Sequence, residues 1–179
     1  MWNRIRRTSG SLGARLVLVL VSLTLLGGCN YTFQAGAGLP SHVRSVAIVP
    51  FDNETSRFEL TQEIHEVLLQ ELPQQFGVRT GSEEFAEAIV RGRIRNYSVD
   101  APSYRQAPDG RGAEVLERQV SMTVEIEIID RVNNMILWDN SNLSVRGEYL
   151  EASELEEDGR RLAIQRLLQN VVDGVQSNW

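Results

Sequence analysis

Residues 120–129 alternate apolar and polar side chains almost without fault. Val120, Met122, Val124, Ile126 and Ile128 fall on one side; Ser121, Thr123, Glu125, Glu127 and Ile129 fall on the other. A period of two belongs to a strand with one buried face, because successive strand side chains point to opposite sides. Residues 131–134 (RVNN) then supply a hairpin turn, asparagine being tolerant of positive φ, and residues 135–149 return as the antiparallel partner. Any fold of this chain must therefore contain a long hairpin with one apolar and one charged face.

The remaining segments sort around that hairpin. Residues 45–51 (SVAIVPF) read as a short buried strand ending at Pro50 and bounded by the turn-like 52–54 (DNE). Residues 56–59 (SRFE) have capping-box spacing, and Leu60, Ile64, Val67, Leu68 and Leu72 recur at helical intervals until Pro73, which is expected to stop the helix. A short strand near 76–80 and a helical turn within 82–88 are weaker signals. Residues 88–99 alternate again, with Ala88, Val90, Gly92 and Ile94 on one face and Arg91, Arg93, Arg95 and Tyr97 on the other. Residues 100–113, with two prolines and two glycines, read as the longest loop of the domain. A second capping box at 153–156 (SELE) opens a last helix whose core face is Leu155, Leu162, Ile164, Leu167, Leu168, Val171, Val172 and Val175. The expected fold is α+β, with two helices packed on one face of a roughly four-stranded mixed sheet.

The chain has 179 residues and a single cysteine, Cys29, so it forms no internal disulfide and no cysteine-built zinc cluster. A basic stretch ending at Arg15 leads into the apolar run 16–26, then Gly27, Gly28 and Cys29. Eleven helical residues span roughly 16 Å against about 30 Å of bilayer hydrocarbon, too short for an ordinary transmembrane helix but suited to a signal peptide. Leu26-Gly27-Gly28-Cys29 matches the bacterial lipobox. Small residues admit the backbone to a peptidase cleft, and the thiol carries the lipid thioether. The expected organisation is therefore residues 1–28 as signal peptide, 29–44 as lipidated N-terminus and glycine-rich tether, and 45–179 as one domain. Residue 30 is Asn rather than the aspartate that retains enteric lipoproteins at the inner membrane, and this resemblance implies an outer-membrane destination on the periplasmic side.

All 18 basic residues are arginine, and four of them precede residue 16. Without residues 1–28, fourteen arginines face 24 acidic residues, a formal net charge of −10. So acidic a body is unsuited to general nucleic-acid binding. No nucleophile elbow, phosphate loop or metal-ligand spacing occurs; His42 lies in the tether and His65 at the border of a helical apolar stripe. Neither an enzyme, a cofactor nor a metal is expected.

One constellation stands out. Arg91, Arg93 and Arg95 place three guanidinium groups about 6.6 Å apart along one sheet face. Such a row would grip an anionic ligand carrying several phosphates. It would equally pair with Glu125 and Glu127, which have the same spacing on the next strand, as a salt ladder. Tyr97, Trp138 and Ile129 would add apolar surface to that open face for a protein or amphiphilic partner, or serve as cross-strand packing pairs.

With these residues in view the chain resembles the LptE family of lipopolysaccharide-assembly lipoproteins. The resemblance runs through the lipobox and Tyr31, Leu39-Pro40, residues 46–51 (VAIVPF), 53–55 (NET), the amphipathic helix, 88–94 (AIVRGRI), the hairpin around Asp130-Arg131 and 136–138 (ILW), and the final helix. It implies two helices on a four-stranded sheet, an outer-membrane lipoprotein that plugs an LptD-type barrel and aids its assembly, and contact with lipopolysaccharide, with the arginine row as candidate contact to its phosphates. The SVAIVPF strand followed by NET is also similar to CsgG-like secretion lipoproteins and to penicillin-binding-protein activator lipoproteins. A secretion pore would need long amphipathic barrel strands, for which residues 117–149 are the one candidate.

Overall fold

The computed structural model describes residues 38–106 and 112–177. The segments expected to be the signal peptide, the lipobox with Cys29 and most of the tether lie outside the described residues. Eight elements follow in order: β1 (Ser45–Ile48), β2 (Asp52–Asn53), α1 (Glu59–Phe76), β3 (Arg79–Thr80), β4 (Ala88–Gln106), β5 (Ala113–Asp130), β6 (Met135–Leu150) and α2 (Glu156–Ser177). They form an α+β fold with one mixed sheet in the order β3-β1-β4-β5-β6, β2 pairing with β4 beyond the end of β1. β1 runs parallel to β3 and β4, whereas β4, β5 and β6 are antiparallel.

The sheet has six strands rather than the four expected. The surplus is two two-residue pieces, too short for a period to be legible. β2 falls within the DNE segment read as a turn. Pro50 has no N–H to give the ladder, so the strand stops at Ile48 and pairing resumes at Asp52 opposite Arg93. The segment expected to be a long loop is mostly strand: β4 continues to Gln106, and Pro102 sits between Asp100 and Ser103, where the ladder shifts register and no donor is required.

Both helices lie on one face, as expected. Leu60, Ile64, Leu68 and Leu72 of α1 and Ile164, Leu167, Val171 and Val175 of α2 share one core with Val90, Ile94, Val120, Met122, Val124, Ile126 and Ile128. The core also reaches back to Leu39 and Val43, ahead of β1.

The helix ends differ from the sequence reading. Ser56 does not cap α1. Instead Asn53 organises the entry, its Oδ1 accepting from the Thr55 N–H and its Nδ2 donating to the Arg57 carbonyl. Pro73 lies within the last turn, where it forfeits a single backbone bond, and α1 ends at Gly77 in the left-handed conformation, φ 65°. α2 starts after Leu155, whose N–H donates to Asp158 Oδ2, so Ser153 lies outside the helix and Leu155 is 69 % exposed instead of in the core.

Two glycines set how closely α2 approaches the sheet. A Cβ on Gly147 would lie 1.8 Å from the Gly159 carbonyl oxygen, and one on Gly159 would lie 2.7 Å from the Tyr149 ring. Helix backbone therefore rests directly on strand backbone.

Candidate functional site

The sheet face opposite the helices holds the arginine row. β4 and β5 pair in register, with Arg91 opposite Glu127 and Arg93 opposite Glu125, and the Arg91, Arg93 and Arg95 side chains are all about half exposed. Each arginine has a carboxylate within reach. Arg91 lies 3.7 Å from Glu83, Arg93 lies 3.8 Å from Asp52 and 3.5 Å from Glu54, and Arg95 lies 3.4 Å from Glu54 and pairs also with Glu125. The hydrogen bond that Arg95 donates to Glu125 is the chief cause that raises the Arg95 pKa. Asp52, Arg91, Arg93, Glu125 and Glu127 line a shallow groove of about 200 Å³. With Glu54 and Glu83, three cations meet five carboxylates. Among the described residues only Arg95 pairs across to β5, with Glu125, whereas Arg91 and Arg93 pair with Glu83, Asp52 and Glu54 of neighbouring segments, and an incoming phosphate would have to displace carboxylates already in place.

Tyr97 and Trp138 are not on that face. A bulge makes Arg95 the extra residue between the Ile94–Val124 and Asn96–Thr123 pairs. The alternation changes phase there, so Tyr97 stands opposite the buried Met122 and turns toward the helices. β6 does the same around Leu137: Trp138 pairs with Ile128, packs on the core and lies beneath Gly174 of α2, where an added Cβ would be 2.6 Å from its ring. Of the three apolar candidates only Ile129 faces the open side, flanked by Ile89 and Ile136. Alternation alone carries no signal of a bulge, which is why the sequence misplaced both aromatics.

Tyr97 instead joins a polar cluster where α1, α2 and β4 meet. Its hydroxyl donates to Glu156 Oε1 at 2.8 Å, and the Arg57 guanidinium lies 5.5 Å from its ring centroid. Arg57 and Arg160 each pair with Glu156, and Arg160 grips Glu63 with two hydrogen bonds of 2.7 and 2.9 Å. Burial, then the bond to Glu156, pushes the Tyr97 hydroxyl up to about 12. The bonding of Arg160 to the Glu63 carboxylate, which accepts from it, is the chief cause that raises the Arg160 pKa. A long-range cluster of this kind, joining residues about a hundred positions apart, has no local sequence signature.

A second polar knot fixes the start of the domain. Asp130 is fully buried at the end of β5. Its carboxylate accepts from the Val132 and Asn133 N–H groups at 2.8 and 3.1 Å and from Asn133 Nδ2 at 2.9 Å, and lies 2.6 Å from His42 Nε2. Burial opposes its charge, yet these bonds outweigh that cost and hold its pKa below the usual value. Among the described residues no group of three or more His, Cys, Asp or Glu side chains is placed to hold a metal.

Residues 43–177 match the model of the family described as LptE, lipopolysaccharide-assembly. The chain belongs to the LptE family. The match covers three quarters of the sequence, including both helices, the arginine row and all six strands. No curated protein sequence matches this LptE-family chain. Among solved structures it is similar to the hypothetical protein CT253 from Chlamydia trachomatis, with 16 % identity, TM-score 0.52, and 76 % of this chain and 97 % of that one covered. It is also similar to protein XCC0632 from Xanthomonas campestris, with 6 % identity, TM-score 0.50, and coverage of 79 % and 91 %. At such identities these likenesses show a shared fold. LptE membership makes this a lipopolysaccharide-assembly protein of the cell envelope, in a family that is not enzymatic.

Proposed function

We propose that this protein is an outer-membrane lipoprotein, anchored through Cys29 on the periplasmic side, that partners and plugs an LptD-type barrel, supports that barrel's assembly and takes part in delivering lipopolysaccharide to the cell surface. The observation that carries the reading is the match of residues 43–177 to a lipopolysaccharide-assembly family. The charged sheet face supports it physically. Lumens of outer-membrane barrels are polar, and a face of paired arginines and carboxylates, covered by neither helix, suits such surroundings. A secretion-pore subunit would instead need a lipid-facing apolar band, which the Arg and Glu side chains of β4 and β5 do not make.

In this reading Arg91, Arg93 and Arg95 contact the barrel or lipopolysaccharide, while Tyr97 and Trp138 hold the sheet to the helices from beneath. Depletion of the protein in its own cells tests the function: folded barrel and surface-exposed lipopolysaccharide should fall together. Normal amounts of both after depletion would contradict it. Replacing Arg91, Arg93 and Arg95 together by Gln addresses the row. The expected result is weaker association with the barrel or with lipopolysaccharide, beside a small loss of melting temperature that shrinks in high salt as ion pairs are screened. A large drop in melting temperature with both associations intact would confine the row to a structural role.

A further inference from the structure

The domain has a second surface that the arginine row does not explain. Where the tether enters the fold, three segments meet. The turn between β5 and β6 holds His42 through Asp130 and Asn133, and Arg131 of the same turn donates to the carbonyls of Glu83 and Glu84 at 2.5 and 2.9 Å. The turn at 82–87 is thereby fastened beside the hairpin tip and the tether. From this one end project Phe85, 79 % exposed, Val132, 63 %, Ile136, 55 %, and Met135, 50 %. An exposed residue of this kind is ordinary when single, but four gather at this end, Phe85 on the turn at 82–87, Val132 on the hairpin turn, and Met135 and Ile136 at the start of β6. Burying them is not what shapes the turns, since Asp130 and Arg131 do that with hydrogen bonds.

The charge of this end also differs from the rest of the body. The exposed arginines Arg44, Arg79 and Arg131 stand against Glu83, Glu84 and Glu87, and Glu83 is further neutralised by Arg91. The balance is close to zero in a mature chain of formal charge −10, so an anionic surface would be repelled less here than elsewhere.

We infer that this end docks on the phospholipid surface of the membrane that holds the chain's own lipid, with Phe85, Val132, Met135 and Ile136 entering the interfacial layer. The inference rests on the anchor reading given above. Gly38, which already lies beside Phe76 and Gln176, follows Cys29 by nine residues, a reach of at most about 32 Å when fully extended. The anchored cysteine therefore keeps the end of the domain that carries the patch near the bilayer. A patch of four side chains is too small to bind membranes alone, but tethering makes the second contact intramolecular, so weak insertion suffices. Orienting the domain in this way would hold the sheet axis away from the membrane plane and present the arginine face sideways.

The test uses the lipidated full protein in vesicles of phosphatidylethanolamine and phosphatidylglycerol whose acyl chains carry a nitroxide quencher. A polarity-sensitive fluorophore is attached in turn through Phe85→Cys, Val132→Cys, Ile136→Cys and, as control at the opposite end of the sheet, Leu155→Cys. All four positions are exposed, so folding tolerates the label; the circular dichroism of each variant checks this. Docking predicts blue-shifted emission and loss of most of it at 85, 132 and 136, and neither at 155. Intact mass reports the lipid on Cys29 separately. Lipidated protein whose probes ignore the quencher would overturn the docking alone, as would quenching that appears equally at 155. A Cys29 without lipid would overturn the anchor reading and the docking with it.

Discussion

At the scale of single residues, the structure depends on a few polar groups that are buried and fully partnered. Asp130 accepts four hydrogen bonds at the hairpin turn and the tether. Asp130→Ala would orphan two backbone N–H groups and should cost about 2 kcal/mol in chemical denaturation. Because its folded pKa is depressed, its contribution is present above the unfolded carboxylate value near pH 4 and is lost as the pH falls below that value through the folded one. Stability of the wild type should thus fall, as the pH drops below about 4, more steeply than that of Asp130→Asn. Tyr97 has the opposite sign. Its folded pKa is raised to about 12, so the bond to Glu156 stabilises fully below the unfolded value near 10 and is lost as the pH climbs through the folded one. Tyr97→Phe should cost about 1 kcal/mol at neutral pH, and the gap to wild type should close as the pH approaches 12. Some of this scale was legible in advance. The asparagine-rich turn announced a positive φ, and Asn134 adopts 51°. Asp130 gave no such sign, because a carboxylate at a strand end reads like any surface residue until its partners are known.

At the scale of elements, the apolar periods placed both helices and the three long strands, since one-sided burial leaves a period that sequence retains. What they missed has a common cause. Bulges at Arg95 and Leu137 shift the phase of β4 and β6 by one residue, and this moves Tyr97 and Trp138 across the sheet without altering any residue type. Capping motifs misled for a related reason: backbone N–H groups donate to Asn53 and Asp158 instead, and the helices begin later than the Ser-x-x-Glu spacing suggests. The small residues Gly159 and Ala163 leave no mark in a period of large apolar side chains. They are where α2 touches the sheet. Gly147→Ala tests that contact. Its new Cβ meets backbone, which cannot rotate away, so α2 must lift; we expect a loss of about 3 kcal/mol or more in equilibrium unfolding, against under about 1 kcal/mol for an Ala placed at an exposed β6 position such as Asn142.

At the scale of the whole molecule, the fold separates its tasks by face and by end. The helices close one side of the sheet, the arginine row occupies the other, and the chain enters beside the apolar hairpin tip. This division explains why the arginine row was readable as a pattern while its pairing was not: its partners Asp52, Glu54 and Glu83 come from segments that only the fold brings beside β4, and among the described residues Glu125 alone joins it from β5. The central claim is that the protein works as the lipoprotein partner of an outer-membrane barrel in lipopolysaccharide assembly. Isolating the lipidated protein from its own membranes in mild detergent, and identifying by mass spectrometry what remains attached, tests it most directly. The account predicts one stoichiometric barrel of the LptD type. Recovery of a penicillin-binding protein, a ring of self-copies or no partner at all would contradict it.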